Sequence, residues 1–113
     1  MKRKIIISML FAFSAATVMS TEAVAFDAVA AKALAKRNDC MKCHAIDKSK
    51  KGPSYKKVAA KYKGKADGQS KLITNFTTEP MVELSDGTKE KHKLIDTKDI
   101  NEQKNLADWI LSL

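Results

Sequence analysis

The stretch Cys40-Met41-Lys42-Cys43-His44 lies in the first half of this 113-residue chain and contains both of its cysteines. Two cysteines separated by two residues and followed directly by histidine form the peptide to which c-type haem is covalently attached. At this spacing both thiols can add to the vinyl groups of one porphyrin, while the adjacent histidine binds the iron. The stretch therefore predicts one covalently held haem c, linked to Cys40 and Cys43, with His44 as an iron ligand.

The same two cysteines allow three other interpretations. A thioredoxin-like thiol pair needs a βαβ framework, and no strand, helix, strand pattern surrounds the motif. A zinc site could combine both cysteines with His44 and His92, although two adjacent residues rarely both reach one tetrahedral metal without strain. A disulfide between the cysteines would close a very short loop, which stabilises little, and would leave His44 without a role. Haem attachment is the interpretation that gives a role to both cysteines and to His44 without such strain.

The N-terminal segment indicates export. A basic start, Lys2-Arg3-Lys4, precedes an apolar stretch and the small-residue cleavage site Ala23-Val24-Ala25. We therefore predict a signal peptide over residues 1–25, cleaved before Phe26, and a periplasmic domain over residues 26–113. The apolar stretch is too short and too rich in alanine and serine for a convincing membrane span, and no later segment is apolar enough to cross a bilayer.

Size and charge restrict the function further. The chain has 21 basic and 13 acidic residues, and removal of residues 1–25 lowers its net charge from +8 to about +6. In a secreted protein this charge indicates attraction to an acidic partner or an anionic membrane surface rather than to nucleic acid. A domain of this size has a marginal core, which a bound macrocycle would complete. No phosphate-binding loop or nucleophilic triad motif is present, so we do not expect an enzyme.

Hydrophobic periodicity predicts a helix at each end of the mature chain, over residues 26–38 and residues 99–113. Thr97 or Asp99 can cap the start of the second helix. We expect the small side chains Ala30 and Ala33 to let the two helices cross closely. The two ends of the chain would then close the domain.

Two shorter helices and a hairpin are predicted between the terminal helices. Ser54 is a candidate N-cap for a helix over residues 55–62, and Asp67 or Ser70 for one that ends at Phe76. Farther along, two alternating segments flank Ser85-Asp86-Gly87, where the Asp-Gly pair is typical of a tight β-turn.

Three runs carry a family resemblance: Cys40-Met41-Lys42-Cys43-His44-Ala45-Ile46-Asp47, Gly52-Pro53-Ser54-Tyr55-Lys56-Lys57-Val58-Ala59-Ala60-Lys61-Tyr62 and Leu106-Ala107-Asp108-Trp109-Ile110-Leu111-Ser112-Leu113. Together they resemble a small bacterial class I cytochrome c of the c-551/c-552 type. The resemblance covers most of the mature chain except residues 74–96. It implies an all-α, mono-haem fold with crossed N- and C-terminal helices, to which this chain adds a short β-hairpin.

The resemblance also implies roles for residues of the motif and the run after it. Cys40 and Cys43 would hold the haem, and His44 would be the proximal iron ligand. The carbonyl group of Pro53 would accept a hydrogen bond from the second ring nitrogen of His44. Such a bond orients the imidazole and raises its basicity.

The distal iron ligand is where the chain departs from the family. The family usually supplies a methionine from a Pro-rich loop that follows a Gly-Val-Trp-Gly stretch, and residues 74–96 contain neither feature. Met81 and His92 are the two candidates. His92 lies 17 residues before Trp109, about where the family's methionine lies, whereas Met81 lies 28 residues before it. We therefore predict His92 as the distal ligand, with Met81 as the alternative. Met81 could instead fill the core, and His92 could be an ordinary exposed histidine.

The motif and the resemblance together imply a soluble periplasmic protein that carries single electrons between redox partners. Redox partners would dock on a lysine-rich rim, and the sequence leaves the oligomeric state open. The rim consists of Lys42, Lys48, Lys50, Lys51, Lys56 and Lys57. The alternative is a protein that binds or senses a diatomic gas, such as NO or CO, if neither Met81 nor His92 binds the iron firmly. A subunit of a larger haem complex would have the same sequence features.

Overall fold

The computed structural model describes residues 12–18 and 25–113. Residues 12–18 form neither helix nor strand, and most of the predicted signal peptide over residues 1–25 lies outside the described residues. Within the described ranges, no helix combines the length and the apolar character needed to cross a membrane.

Helices dominate the part of the chain that the structure describes. In chain order they are α1 (Ala28–Arg37), α2 (Cys40–Cys43), α3 (Tyr55–Tyr62), α4 (Gly68–Thr77) and α5 (Ile100–Leu111), and the strands β1 (Met81–Glu83) and β2 (Lys89–Lys91) lie between α4 and α5. The predicted all-α fold with a short hairpin is therefore confirmed.

Side-chain caps explain where two of these helices begin. The Ser54 hydroxyl accepts a hydrogen bond from the backbone N–H of Lys57 at 3.2 Å, which starts α3. The Asp99 carboxylate accepts one from the N–H of Asn101 at 2.8 Å, so Asp99 caps α5 as predicted. Asp67 stands at the start of α4, but its side chain makes no capping bond.

The terminal helices α1 and α5 pack against each other through small residues. The prediction that Ala30 and Ala33 make this contact is wrong, because both are exposed. The buried alanines are Ala31 and Ala35, which are fully inaccessible and share a core with Ala107 of α5. Alanines of α1 itself point to several sides of the helix, so apolar spacing alone does not fix which side is buried.

The hairpin is antiparallel, with Val82 opposite Glu90. Gly87 has a φ of 84° in the turn, which glycine adopts without steric cost. The Ser85 hydroxyl donates to the backbone oxygens of Lys50 and Lys51 at 2.5 and 3.1 Å. These bonds fasten the hairpin to the loop that follows α2.

The hydrophobic core is built from four of the helices. Its large buried side chains come from α1, α3, α4 and α5, and they are Leu34, Tyr55, Leu72, Phe76, Leu106, Trp109 and Ile110. Part of this core lines a cavity beside the haem motif.

Candidate haem site

The motif forms the single turn α2, which the chain enters through an unusual backbone conformation. Asp39 has a φ of 57°, in the left-handed region that aspartate tolerates better than most residues. Cys40 and Cys43 are three positions apart in this turn, so their side chains project from the same face. Both cysteines are half-buried, and both line the cavity.

The cavity is large enough for a sizeable planar ligand. Its volume is about 630 Å³, within the range of known cofactor sites, and residues of the hairpin form part of its lining. Part of its lining consists of apolar side chains from α3, α4 and α5, and they are Val58, Leu72, Phe76, Leu106 and Ile110. An apolar cavity beside two half-buried thiols fits a covalently held porphyrin.

His44 is held in place on three sides. Its Nδ1–H donates to the carbonyl oxygen of Pro53 at 2.7 Å. The Tyr55 ring stacks on the imidazole with ring centres 5.1 Å apart and planes inclined by 20°. Gly52 passes so close that a Cβ built there would lie 2.7 Å from Cε1 of His44. The imidazole therefore has little freedom to rotate.

The protonation of His44 also suits metal binding. Burial lowers the pKa of His44, the hydrogen bond to Pro53 opposes that shift, and the nearby His92 lowers the pKa further. The shift is downward, so the neutral imidazole predominates at neutral pH. Neutral imidazole is the form that binds a metal ion.

His92 lies across the cavity from His44. The centres of the two imidazole rings are 6.2 Å apart. The Nδ1–H of His92 donates to the carbonyl oxygen of Lys93 at 2.9 Å. In both histidines Nδ1 is therefore committed to a backbone carbonyl group, which leaves Nε2 as the nitrogen that can bind a metal.

The distance between the rings fits two ligands of one iron. Histidine nitrogens bind metal ions at about 2 Å, and the ring centre lies about 1 Å beyond the nitrogen, so two imidazoles on opposite sides of one metal have centres about 6 Å apart. His44 and His92 are observed at this separation. Met81 is 61% exposed in β1 and is not among the residues that line the cavity.

The other interpretations of the cysteines find little support. Within the described ranges, no group of three or more histidine, cysteine, aspartate or glutamate side chains is arranged to hold a metal ion, which argues against the zinc site. The thiols of Cys40 and Cys43 are not joined to each other. The fold contains no βαβ unit in its described part, so it is not a thioredoxin-like framework.

Sequence reasoning missed the aromatic support behind the proximal histidine. Tyr55 is buried, stacks on His44, and meets Trp109 edge-on with ring centres 5.5 Å apart. Burial raises the pKa of the Tyr55 hydroxyl. Tyr55 directly follows the predicted N-cap Ser54 in the run Gly52-Pro53-Ser54-Tyr55, and this position predicts the start of a helix rather than a contact with His44.

Proteins of a known family are similar to this chain in sequence. The family model described as cytochrome c matches residues 28–113. Cytochrome c-551 of Allochromatium vinosum is 33% identical over 90 residues, which cover 80% of this chain and 93% of that protein. Cytochrome c-552 of Nitrosomonas europaea is 33% identical over 91 residues, covering 71% of this chain and 75% of that protein.

Solved structures agree with these sequence matches. The class 1 cytochrome MtoD from Sideroxydans lithotrophicus ES-1 superposes with a TM-score of 0.74 and 54% identity, covering 78% of this chain and 97% of that one. Cytochrome c552 of Nitrosomonas europaea superposes with a TM-score of 0.56 and 31% identity, covering 72% of this chain and 96% of that one. Members of this family bind one covalently attached haem c, so the predicted cofactor is confirmed. The chain belongs to the class I c-type cytochromes.

Proposed function

We propose that this mono-haem electron carrier works in the periplasm and that His44 and His92 are the two side chains that would bind its iron. The observation that supports the ligand pair most directly is the 6.2 Å separation of their rings. In both rings Nδ1 donates to a backbone carbonyl group, so Nε2 is free to bind the metal. The exposed position of Met81 supports the same choice.

The residues of the site hold the cofactor rigidly rather than react with a substrate. Haem supplies reversible one-electron oxidation and reduction of its iron. Cys40 and Cys43 would anchor it, while the Pro53 carbonyl group and the Tyr55 ring fix the orientation of His44. A ligand that cannot rotate keeps the geometry of the two oxidation states similar. This role is that of a carrier rather than an enzyme.

A second histidine has a consequence for the reduction potential. A methionine ligand raises the potential of c-type cytochromes, because its thioether favours ferrous iron. Replacing the thioether by an imidazole removes that preference. We therefore expect a lower potential than that of relatives with a histidine and methionine pair.

Carbon monoxide distinguishes the carrier from a gas-binding protein. The dithionite-reduced holoprotein is mixed with CO, and the Soret band is followed for minutes. Two firmly bound histidines predict no shift of the band and reversible one-electron voltammetry. Prompt formation of the CO adduct in the unmutated protein would favour gas binding and would refute the carrier proposal.

The lysine-rich rim is proposed as the docking surface for acidic redox partners. Its six lysines are all exposed, and Lys57 also lines the cavity. Lys42 and Lys56 make ion pairs with Asp39 and Asp47 at 3.4 and 2.6 Å. Exposed ion pairs of this kind contribute little to the stability of the fold. These lysines can therefore leave their partners and bind a docking protein with little loss of stability.

An anionic oxidant tests the rim. Ferricyanide takes one electron from the ferrous protein, and the rate is measured by stopped flow at rising ionic strength. We expect the rate to fall with added salt and to fall in Lys51→Gln, while the matched variant Lys104→Gln on α5 leaves it unchanged. Equal rates for both variants and the unmutated protein would remove the rim from the proposal.

Export is proposed from the N-terminal segment. Mass spectrometry of the haem protein purified from the periplasmic fraction should give a mature chain that starts at Phe26. A chain that keeps residues 1–25 would instead indicate an uncleaved anchor.

A further inference from the structure

We infer that Asp96, held by Arg37 and Asn38, is a positioning residue that keeps His92 at its distance from His44. The inference rests on the proposed role of His92 as an iron ligand. It assigns a function to the three residues Arg37-Asn38-Asp39, which directly precede the haem motif.

Arg37 binds Asp96 through two parallel hydrogen bonds. Its Nε donates to Oδ2 at 2.9 Å and its Nη2 donates to Oδ1 at 3.0 Å. This two-point arrangement fixes direction as well as distance, because the guanidinium group and the carboxylate are both planar. The segment after His92 is thereby tied to the last residue of α1.

Asn38 makes a second, reciprocal contact with Asp96. It is 5% exposed, its Oδ1 accepts from the backbone N–H of Asp96 at 2.8 Å, and its Nδ2 donates to Oδ1 of Asp96 at 3.2 Å. The same Nδ2 donates to the carbonyl oxygen of Leu34 at 2.9 Å. Because a buried amide must satisfy its polar atoms, Asn38 strongly favours one position of the 92–96 segment.

Asp39 adds a third contact next to His92 itself. Its carboxylate accepts from the ammonium group of Lys93 at 3.2 Å. Lys93 also supplies the carbonyl oxygen that receives the Nδ1–H of His92. Three consecutive residues before Cys40 therefore hold the segment that begins at His92.

This arrangement links the two sides of the cavity directly. Arg37, Asn38 and Asp39 continue into Cys40 and the proximal side, while Lys93 and Asp96 continue from the distal side. A shift of the 92–96 segment would move the His92 ring away from the cavity. The side chains that join the two segments therefore set how firmly His92 occupies its position.

The backbone of this segment has its own attachments. His92 N–H donates to the carbonyl oxygen of Pro80 at 2.8 Å, and Ile95 N–H donates to that of Phe76 at 3.0 Å. These bonds remain when the Asp96 side chain is shortened. Asp96→Ala should therefore fold, bind haem and differ mainly in how readily His92 leaves the iron.

Displacement of the distal ligand by cyanide measures this directly. In the ferric holoprotein cyanide can bind only after His92 leaves, so its binding rate reports the loss of that ligand. We expect binding to be roughly five times faster in Asp96→Ala, because three side-chain hydrogen bonds to the segment are lost. Arg37→Gln, at an exposed position, should show a smaller increase. The control Asp67→Ala removes a similarly exposed ion pair with Lys71 in α4 and should leave the rate unchanged.

A double variant distinguishes an effect of Asp96 on the position of His92 from an overall loosening of the structure around the cavity. In the His92→Ala background the distal position is already open, so Asp96→Ala should no longer change the cyanide rate. The inference would be overturned if Asp96→Ala accelerated cyanide binding equally in the unmutated and the His92→Ala backgrounds. It would also be overturned if Asp96→Ala and Arg37→Gln bound cyanide no faster than Asp67→Ala. If His92→Ala alone leaves the ferric spectrum unchanged, then the proposed ligand is wrong, and that outcome is distinct from failure of the positioning role.

Discussion

Gly52 is the residue on which the orientation of the proximal histidine depends most closely. A Cβ at this position would lie 2.7 Å from Cε1 and 3.0 Å from Nδ1 of His44 and 3.3 Å from the backbone oxygen of Cys43. The first of these separations is a steric clash and the other two are tighter than ordinary contacts. Both Cys43 and His44 belong to the motif, which cannot shift freely. Absence of a side chain at Gly52 is therefore a requirement of the site.

Gly52→Ala should accordingly destabilise the holoprotein and disturb the bond between His44 and the iron. Overpacking of this kind costs about 1–3 kcal/mol. The measurements are the free energy of unfolding in guanidinium chloride and the low-temperature EPR spectrum of the ferric protein. Lys51→Ala, an exposed neighbour in the same loop, should change neither quantity. An unaltered spectrum in Gly52→Ala would show that the ring can move away without consequence.

Individual residues were predictable where covalent chemistry dictates the spacing. Cys40, Cys43 and His44 follow from one five-residue motif, whereas the contacts of Tyr55 and Asp96 depend on how distant segments meet. Asp96 lies 58 residues from Asn38 in the sequence, and no local pattern brings them together. Long-range hydrogen bonds of this kind cannot be derived from spacing alone.

The helix α3 shows how one cap positions a site. Ser54 is 3% exposed, and its hydroxyl accepts the N–H of Lys57 in the first turn. The next residue, Tyr55, starts the helix and stacks on His44. Correct placement of the Tyr55 ring thus depends on where α3 begins.

Ser54→Ala should lower the free energy of unfolding by about 1 kcal/mol, the usual effect of losing an N-cap. Chemical denaturation of the holoprotein followed at the Soret band measures this change. Ser49→Ala, at an exposed position in the preceding loop, serves as the matched control and should stay within about 0.5 kcal/mol of the unmutated protein. If the two variants are equally stable, the capping bond does not contribute.

Element boundaries were predictable from caps and turns, but the buried face of α1 was not. Ser54, Asp99 and the Asp-Gly turn each satisfy a local hydrogen-bonding or backbone requirement, and each appears at the expected place. The alanines of α1 satisfy no such requirement. Lys32, Lys36 and Arg37 are exposed on the side of the helix opposite Ala31, Leu34 and Ala35, and this charge pattern was the signal for the buried side.

The whole molecule is joined across its ends by charged and polar contacts as well as by its core. The backbone of Asp27, just before α1, exchanges two hydrogen bonds of 2.7 and 2.9 Å with the side chain of Asn105 in the middle of α5. Arg37 and Asp96 join the end of α1 to the segment before α5. The fold class was predictable because the family resemblance rests on the haem motif and on the C-terminal helix, and the predicted pair of terminal helices agrees with it.

Low pH should weaken the contact between Arg37 and Asp96. The guanidinium group of Arg37, and then the amide of Asn38, hold the pKa of Asp96 below its usual range. A carboxyl group whose pKa is lowered by folding stabilises the native state above its unfolded pKa of about 3.9 and loses that contribution as the pH falls through the lowered value. The free energy of unfolding should therefore fall more steeply below about pH 4 in the unmutated protein than in Asp96→Asn. Parallel pH profiles would contradict this expectation.

The central claim is that one iron is bound by His44 and His92, and the ferric spectra of three proteins test it most directly. Optical and low-temperature EPR spectra are recorded for the unmutated holoprotein, His92→Ala and Met81→Ala. The account predicts a low-spin spectrum without the weak far-red band of thioether ligation, unchanged in Met81→Ala and converted to high spin in His92→Ala. A far-red band that disappears in Met81→Ala while His92→Ala stays low-spin would contradict it.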